Sequence, residues 1–126
     1  MDKELYVRKN WLSAALELND REAEEAFAVC VETVRRNMAY FGRSFPAAAS
    51  VDGIYPKTAN DDWTDGFWTG ELWLSYEETK DPAFKREALA SVADFERRMK
   101  ERVVVDHHDM GFLFSPSCVA AWRLLK

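Results

Sequence analysis

The sequence predicts an all-α fold built from helical hairpins, on three observations. Apolar residues recur at three- and four-residue spacing through two long segments, 20–42 and 82–101. Asp81-Pro82 and Ser115-Pro116 each pair a capping side chain with a proline suited to the first helical position. GFWTGELWLSYEETK from Gly66 is echoed by GFLFSPSCVAAWRLLK from Gly111 if one residue is inserted, so that Thr69 or Ser115 and Tyr76 or Trp122 recur. The period, about 45 residues, fits a pair of antiparallel helices repeated as a unit.

Along the chain, residues 5–18 predict a short helix with Leu5, Trp11, Leu12, Ala15 and Leu16 partly on one side. Asp20 is the expected N-cap of a second helix, with Glu22 and Glu24 in its first turn. Ala23, Phe27, Cys30, Val31, Val34, Met38 and Phe41 form its predicted buried stripe, and Gly42 ends it. Residues 43–64 hold two prolines and a glycine and read as a long irregular connection. Loops of that length in compact domains are usually functional or disordered.

The next segment, 67–79, is apolar almost all round, which predicts a buried helix. The helix opened by Asp81-Pro82 should bury Phe84, Ala88, Val92, Phe95 and Met99. Val103, Val104 and Val105 lead into Asp106, His107, His108 and Asp109, and Ser115-Pro116 should open the last helix. Asp65 and Asp109 each stand just before a repeated helix, so the acidic loops are expected on one side of the helical layer. That places Trp63, Asp65, His108 and Asp109 near one another. Val119, Trp122 and Leu125 still want cover at the end of the chain, whereas terminal repeats normally carry a polar outer face. The sequence therefore reads as cut short, and its uncovered apolar surface predicts self-association or poor folding in isolation.

Composition bounds the function. The 126 residues suffice for one domain, and 31% charged with 48% hydrophobic residues is a globular balance. A net charge of −5 disfavours a nucleic-acid partner, which needs a basic face. No run approaches the roughly 20 apolar residues of a membrane span. The charged start, MDKELYVRKNWLSAALEL, has no apolar core of signal-peptide type, so a cytoplasmic location is expected. Cys30 and Cys118 are expected as buried free thiols, with a disulfide left open. Aromatic residues make up 13% of the chain, and Trp63, Phe67, Trp68, Trp73 and Tyr76 crowd into one short stretch. Such density suits a large core or a site that stacks on flat ligand faces.

The cluster VDHHDMGF at 105–112 is the main chemical signal. Metal binding is disfavoured: adjacent histidines do not easily reach one ion, and Asp106/His108 or His107/Asp109 lacks an obvious third ligand. Nucleophilic catalysis by Ser115 or Cys118 lacks a supporting motif. Acid–base work by Asp109 beside His108 is better supported, because a carboxyl in an apolar pocket keeps its proton more readily. Spacing alone equally allows Asp109 to be a helix cap and His108 a satisfied, partly buried side chain.

Two long motifs, NDDWTDGFWTGELWLSYEETKD (60–81) and DHHDMGFLFSPS (106–117), resemble glycoside hydrolase family 88, the unsaturated glucuronyl or chondroitin disaccharide hydrolases. RSFPAAASVDGIYPKTANDDW is similar to the loop that leads to that family's first site tryptophan. The resemblance runs over 22–126, leaving 1–21 as a variable extension. It implies that 1–126 is the N-terminal part of one (α/α)6 barrel, a six-hairpin toroid. The implied reaction releases unsaturated uronic acid from lyase-generated glycosaminoglycan oligosaccharides. C4 of the C4=C5 vinyl ether is protonated, water adds at C5, and the hemiketal opens to shed the partner sugar. This departs from two-carboxylate displacement.

The implied substrate partner is an unsaturated glycosaminoglycan disaccharide, with no metal and no organic cofactor. By motif, Asp109 corresponds to a catalytic-site aspartate contacting the unsaturated sugar, His108 to the adjacent site histidine, and Trp63 to an aromatic lining the sugar subsite. Asp65 and Trp68 share the motif but read equally as helix cap and core. The family's general acid lies downstream of these residues, so the chain alone is expected to be inactive. The rival expectation is a non-catalytic helical module, from a truncated gene, that binds sugar or protein through the Trp63 and Asp109 face.

Overall fold

The computed structural model describes residues 19–126. The short helix expected over 5–18 lies outside the described residues. Among the described residues the chain divides into two units, one ending at Cys30 and the other running Val31–Lys126. Helix α1 is Asp20–Phe41. Its cap is Asn19 rather than Asp20: Asn19 Oδ1 accepts from Glu22 N–H at 3.0 Å, and Glu22 Oε2 accepts from Asn19 N–H at 3.3 Å. This reciprocal capping box pairs residues three apart, which Asn19 and Glu22 satisfy. Burial on α1 is confined to Val31, Val34 and Phe41, whereas Ala23 and Cys30 are exposed. Apolar spacing marks a face that can be buried and does not say what covers it. Gly42, at φ +58°, donates its N–H to Met38 O at 3.0 Å and closes the helix as expected.

The connection after Gly42 is more ordered than the sequence suggested. Strands β1 (Phe45–Pro46) and β2 (Lys57–Thr58) pair antiparallel, with Phe45 opposite Thr58. Val51 and Ile54 bridge through two backbone hydrogen bonds, 2.8 and 3.0 Å, around Asp52 and Gly53. Both central residues have positive φ, 51° and 78°, which is the geometry of a type I′ hairpin turn. The dipeptide Asp-Gly is a strong short-range signal for this turn, and it was legible in VDGI.

Helices α2 (Asp65–Thr79) and α3 (Pro82–Glu101) pack together across a two-residue connection, so they form an antiparallel hairpin. Lys80 takes the left-handed conformation, φ 57°, and donates its N–H to Tyr76 O at 2.8 Å. Asp81 then caps α3 through Ala83 N–H at 2.8 Å, with Pro82 at the first helical position as read. Arg35 Nη1 reaches Asp81 Oδ2 at 2.8 Å, and the same guanidinium lies over the Phe84 ring.

Helix α2 is one-sided, contrary to the all-round burial expected. Trp68, Leu72 and Trp73 are buried, but Phe67 and Leu74 are 40% and 54% exposed. On α3 Phe84, Ala88 and Phe95 are buried as expected, Val92 only partly, and Met99 is 47% exposed. Arg98 holds the buried position instead, at 0%. Both residues continue the stripe, at i+3 and i+4 from Phe95, and hydrophobicity alone selects the wrong one.

The last helical stretch, 110–124, comprises α4 (Met110–Phe114), a π-helical turn at Ser115–Val119, and α5 (Ala120–Leu124). Ser115 is therefore no N-cap, because its backbone is already helical, with φ −68° and ψ −53°. Pro116 removes an N–H inside the helix and its ring crowds the preceding turn. The wider π turn accommodates it, and the Ser117 hydroxyl donates to Leu113 O. Aligning the two repeats requires an inserted residue just before this turn. Helix α4 lies against α2 at Gly66, where the backbone of Phe112 and Leu113 occupies the space of a side chain. Phe45, Phe95 and Phe114 continue the core, with Phe95 at 5.9 and 5.7 Å from the other two rings. Val119, Trp122 and Leu125 remain exposed.

Candidate functional site

Two loops, 59–64 before α2 and 102–109 before α4, carry the residues singled out in the sequence. Because α2 and α4 begin side by side at Gly66, the loops rise at the same end of the helical layer. Trp63 packs against Phe67 and Phe112 with ring centroids 6.2 and 6.0 Å away, and Phe67 to Phe112 is 5.5 Å. All three rings are at least 40% exposed. They form an aromatic wall, a surface suited to the apolar face of a pyranose ring. An adjoining cleft of about 480 Å³ is lined by Phe67, His108, Gly111, Phe112, Ser115 and Pro116.

Asp109 occupies the N-cap position of α4, yet its side chain makes no capping hydrogen bond. The helix-cap reading of its carboxylate does not hold. Its Oδ2 lies 3.4 Å from His108 Nε2, and the carboxylate is 23% exposed. The His108 side chain is 92% exposed, so it is not the satisfied, partly buried group that spacing also allowed. His107 is the structural member of the pair. Its Nδ1 accepts from Asp109 N–H at 3.2 Å, which leaves the proton on Nε2 to be donated to Val104 O at 3.1 Å.

Asp65 takes no place in the cleft. It is 0% exposed, accepts Asp62 N–H at 2.8 Å, and faces Arg98 Nη1 at 3.3 Å. The cap position of α2 is Thr64, so Asp65 is no cap either. Trp68 is core, 5% exposed. Arg98, Asn60 and Phe112 carry much of the local geometry and were not singled out by sequence, and His107, singled out with its neighbours, serves as a structural group. The available signal was Arg98 itself, at core spacing on α3, in a chain whose loop before α2 carries Asp61 and Asp62 and whose α2 begins with Asp65.

Burial pushes the Asp65 carboxyl up to about 7, against the opposing pull of Asp62 N–H and Arg98, while Asp62 and Asp61 add to the rise. The folded state therefore favours the protonated form, so this stabilisation is full below the ordinary carboxylate range and is lost as pH rises through about 7. Asp81 behaves oppositely. The Ala83 N–H, then Arg35, hold its carboxyl below the ordinary range, so its contribution is lost as pH falls through that range. The melting temperature is expected to peak between these limbs. Asp65→Asn should flatten the alkaline limb and Asp81→Asn the acid limb; a profile that neither substitution alters would refute both assignments.

Among the described residues no three His, Cys, Asp or Glu side chains gather closely enough to hold a metal ion. Cys30 and Cys118 are free thiols, but neither is buried: Cys30 is exposed and Cys118 intermediate. No described helix is long and apolar enough to cross a membrane.

The α/α hairpins, with their open aromatic wall, uncapped carboxylate and exposed histidine, form part of an (α/α)6 toroid, as the similarities to known proteins show. The chain is 43% identical over 107 residues to the unsaturated chondroitin disaccharide hydrolase of Streptococcus pneumoniae, covering 85% of this chain and 27% of that protein. It is 40% identical over 103 residues to the unsaturated glucuronyl hydrolase of Bacillus sp. GL1, covering 82% and 27%. A crystal structure of an Asp-to-Asn mutant of the Streptococcus agalactiae unsaturated glucuronyl hydrolase, complexed with dGlcA-GalNAc6S, superposes with TM-score 0.85. Identity there is 41%, over 92% of this chain and 30% of that one. No family model matches the chain.

By sequence and by fold, the family is that of the unsaturated glucuronyl hydrolases, glycoside hydrolase family 88. The chain carries part of their (α/α)6 toroid and spans 27–30% of the length of these three relatives.

Proposed function

We propose that this chain supplies one wall of the active site of an unsaturated glucuronyl hydrolase. The reaction is hydration of the C4=C5 vinyl ether of a lyase-generated glycosaminoglycan oligosaccharide. C4 takes a proton, water adds at C5, and the resulting hemiketal opens, so that the formerly unsaturated uronic residue leaves its partner sugar as a 4-deoxy-5-keto acid. The single observation that carries the assignment is the Asp109 carboxylate. It stands at a helix start without capping it, and its neighbours His108 and Gly111 both line the cleft.

In this reading Trp63, with Phe67 and Phe112, packs on the apolar face of the uronic ring. Asp109 accepts charge-assisted hydrogen bonds from the sugar hydroxyls and fixes C4 and C5 relative to the proton donor. His108, 3.4 Å from Asp109, offers a second polar contact at the same edge. No metal or organic cofactor enters the scheme. The substrate class rests on the family and on the disaccharide bound by the S. agalactiae relative.

A cytoplasmic location belongs to the same proposal, supported by the two free thiols. So does self-association through Leu74, Val119 and Trp122, all exposed, which sedimentation at rising concentration would reveal and a concentration-independent monomer would exclude.

The direct test is titration of the chain with dGlcA-GalNAc6S, followed by Trp63 fluorescence or by the His108 ring resonances. Saturable binding that Asp109→Asn and Trp63→Ala each weaken supports the site. Binding unaffected by both substitutions places the sugar elsewhere. Saturable binding by the chain, together with no turnover in any longer protein containing it, would favour the non-catalytic sugar-binding module.

A further inference from the structure

The sugar-site reading explains Asp109, His108 and Trp63 but leaves Arg98 unused. Arg98 is the only arginine among the described residues with a side chain at 0% exposure, and it lies near the end of α3, under both site loops. Its guanidinium makes five hydrogen bonds. Nη1 donates to Asn60 Oδ1 at 2.9 Å, Asp62 O at 2.9 Å and Asp65 Oδ2 at 3.3 Å, all on the loop and helix start that present Trp63. Nε donates to Val103 O at 3.0 Å and Nη2 to Val104 O at 2.9 Å, on the loop that presents His107, His108 and Asp109.

The second attachment reaches the Asp109 backbone by two further hydrogen bonds. Val104 O also accepts from His107 Nε2, whose Nδ1 in turn accepts Asp109 N–H. Val104 has φ +44°, a left-handed backbone that a β-branched residue adopts only under constraint. Two donors converging on its carbonyl supply that constraint. A planar fork with donors on several edges is required to span both loops, which arginine provides and lysine does not.

We propose that Arg98 is a positioning residue for the sugar site, a buried guanidinium that registers the Trp63 loop against the His107–Asp109 loop without touching the sugar. This rests on the function proposed above. One side chain thus sets the separation between the aromatic wall and the carboxylate. A misplacement of about 1 Å in such a constellation can cost on the order of a hundredfold in rate or affinity.

The test uses the full chain with three variants. Arg98→Lys keeps the charge and loses the fork, Arg98→Ala opens a space for added methylguanidinium, and Phe84→Leu is a core control chosen to match the loss in melting temperature. Two readouts are taken well below the melting transition: amide hydrogen exchange over 60–65 and 103–109, and affinity for dGlcA-GalNAc6S. The expected result is faster exchange in both segments together for Arg98→Lys, with affinity down about ten- to hundredfold. Methylguanidinium should restore both readouts in Arg98→Ala, and the control should leave both near wild type.

Loosening of only one loop, or equal losses in the core control, would overturn the proposal. If Arg98→Ala does not fold, Arg98→Lys against the control decides the matter alone. A wild-type chain that does not bind the disaccharide refutes the sugar site, and the exchange data still decide whether Arg98 joins the loops.

Discussion

Asp109→Asn in a hybrid hydrolase is expected to lower turnover of an unsaturated chondroitin disaccharide by about a hundredfold or more, the scale of losing a group that positions the reacting atoms. In that hybrid, residues 22–126 of this chain replace the matching stretch of the S. pneumoniae enzyme. The substitution preserves shape and removes the charge. Because the Asp109 side chain makes no capping bond, the start of α4 has little to lose from the change. Its backbone N–H to His107 is untouched. The melting temperature should therefore stay close to that of the parent while the rate collapses. A rate within about threefold of the parent's, far below the loss expected of a positioning group, would remove Asp109 from the site. A rate loss that tracks a loss of folded protein would make it a structural residue instead.

Gly66→Ala is expected to be the most damaging single-methyl change in the described chain. A Cβ at this position falls on the carbonyl oxygens of Phe112 and Leu113 and 2.7 Å from Leu113 Cα, all of them backbone atoms that cannot rotate away. Helices α2 and α4 would have to separate. Overpacking usually costs 1–3 kcal/mol, and an obstruction made of backbone should bring the loss to about 3 kcal/mol or more. Gly70→Ala meets Pro116 Cβ at 2.9 Å, a single close contact and a longer one than any at Gly66, so its loss should be smaller, about 1–2 kcal/mol. Because α4 carries Asp109 at its start and Phe112 within it, the Gly66 variant should also disturb the cleft. Chemical denaturation of the three proteins in parallel reads the order. Equal stability for wild type and Gly66→Ala would contradict the close approach of the two helices.

Much of the fold was legible because the helices announce themselves locally. Asp81-Pro82 marked the start of α3 and Gly42 the end of α1, since a capping carboxylate, a proline ring and a left-handed glycine act within one turn. Partners are what local pattern does not carry. Spacing extends the α1 stripe through Ala23 and Cys30, and burial starts only at Val31. Hydrophobicity prefers Met99 to Arg98, because spacing does not register the five oxygen acceptors at that position. Ser115-Pro116 reads as a helix start, whereas the helix already running there widens into a π turn.

The site was legible as a set of residue types rather than as a geometry. The aspartate–histidine cluster and Trp63 stood out in sequence, and the family resemblance gave them roles. The division of labour between the two histidines was invisible, since His107 and His108 differ only in which way the loop turns them. Asp65 and Asp109 looked equivalent by their place in the repeat. One is sealed against Arg98 and the other is left at the cleft, a difference that follows from tertiary packing alone.

The most direct measurement is turnover by the unsubstituted hybrid, followed as loss of the C4=C5 ultraviolet absorbance of dGlcA-GalNAc6S. If residues 22–126 form one wall of a working site, the hybrid hydrolyses the disaccharide at a rate comparable to the S. pneumoniae parent. A hybrid that folds and melts cooperatively, yet leaves the double bond intact, would contradict the account.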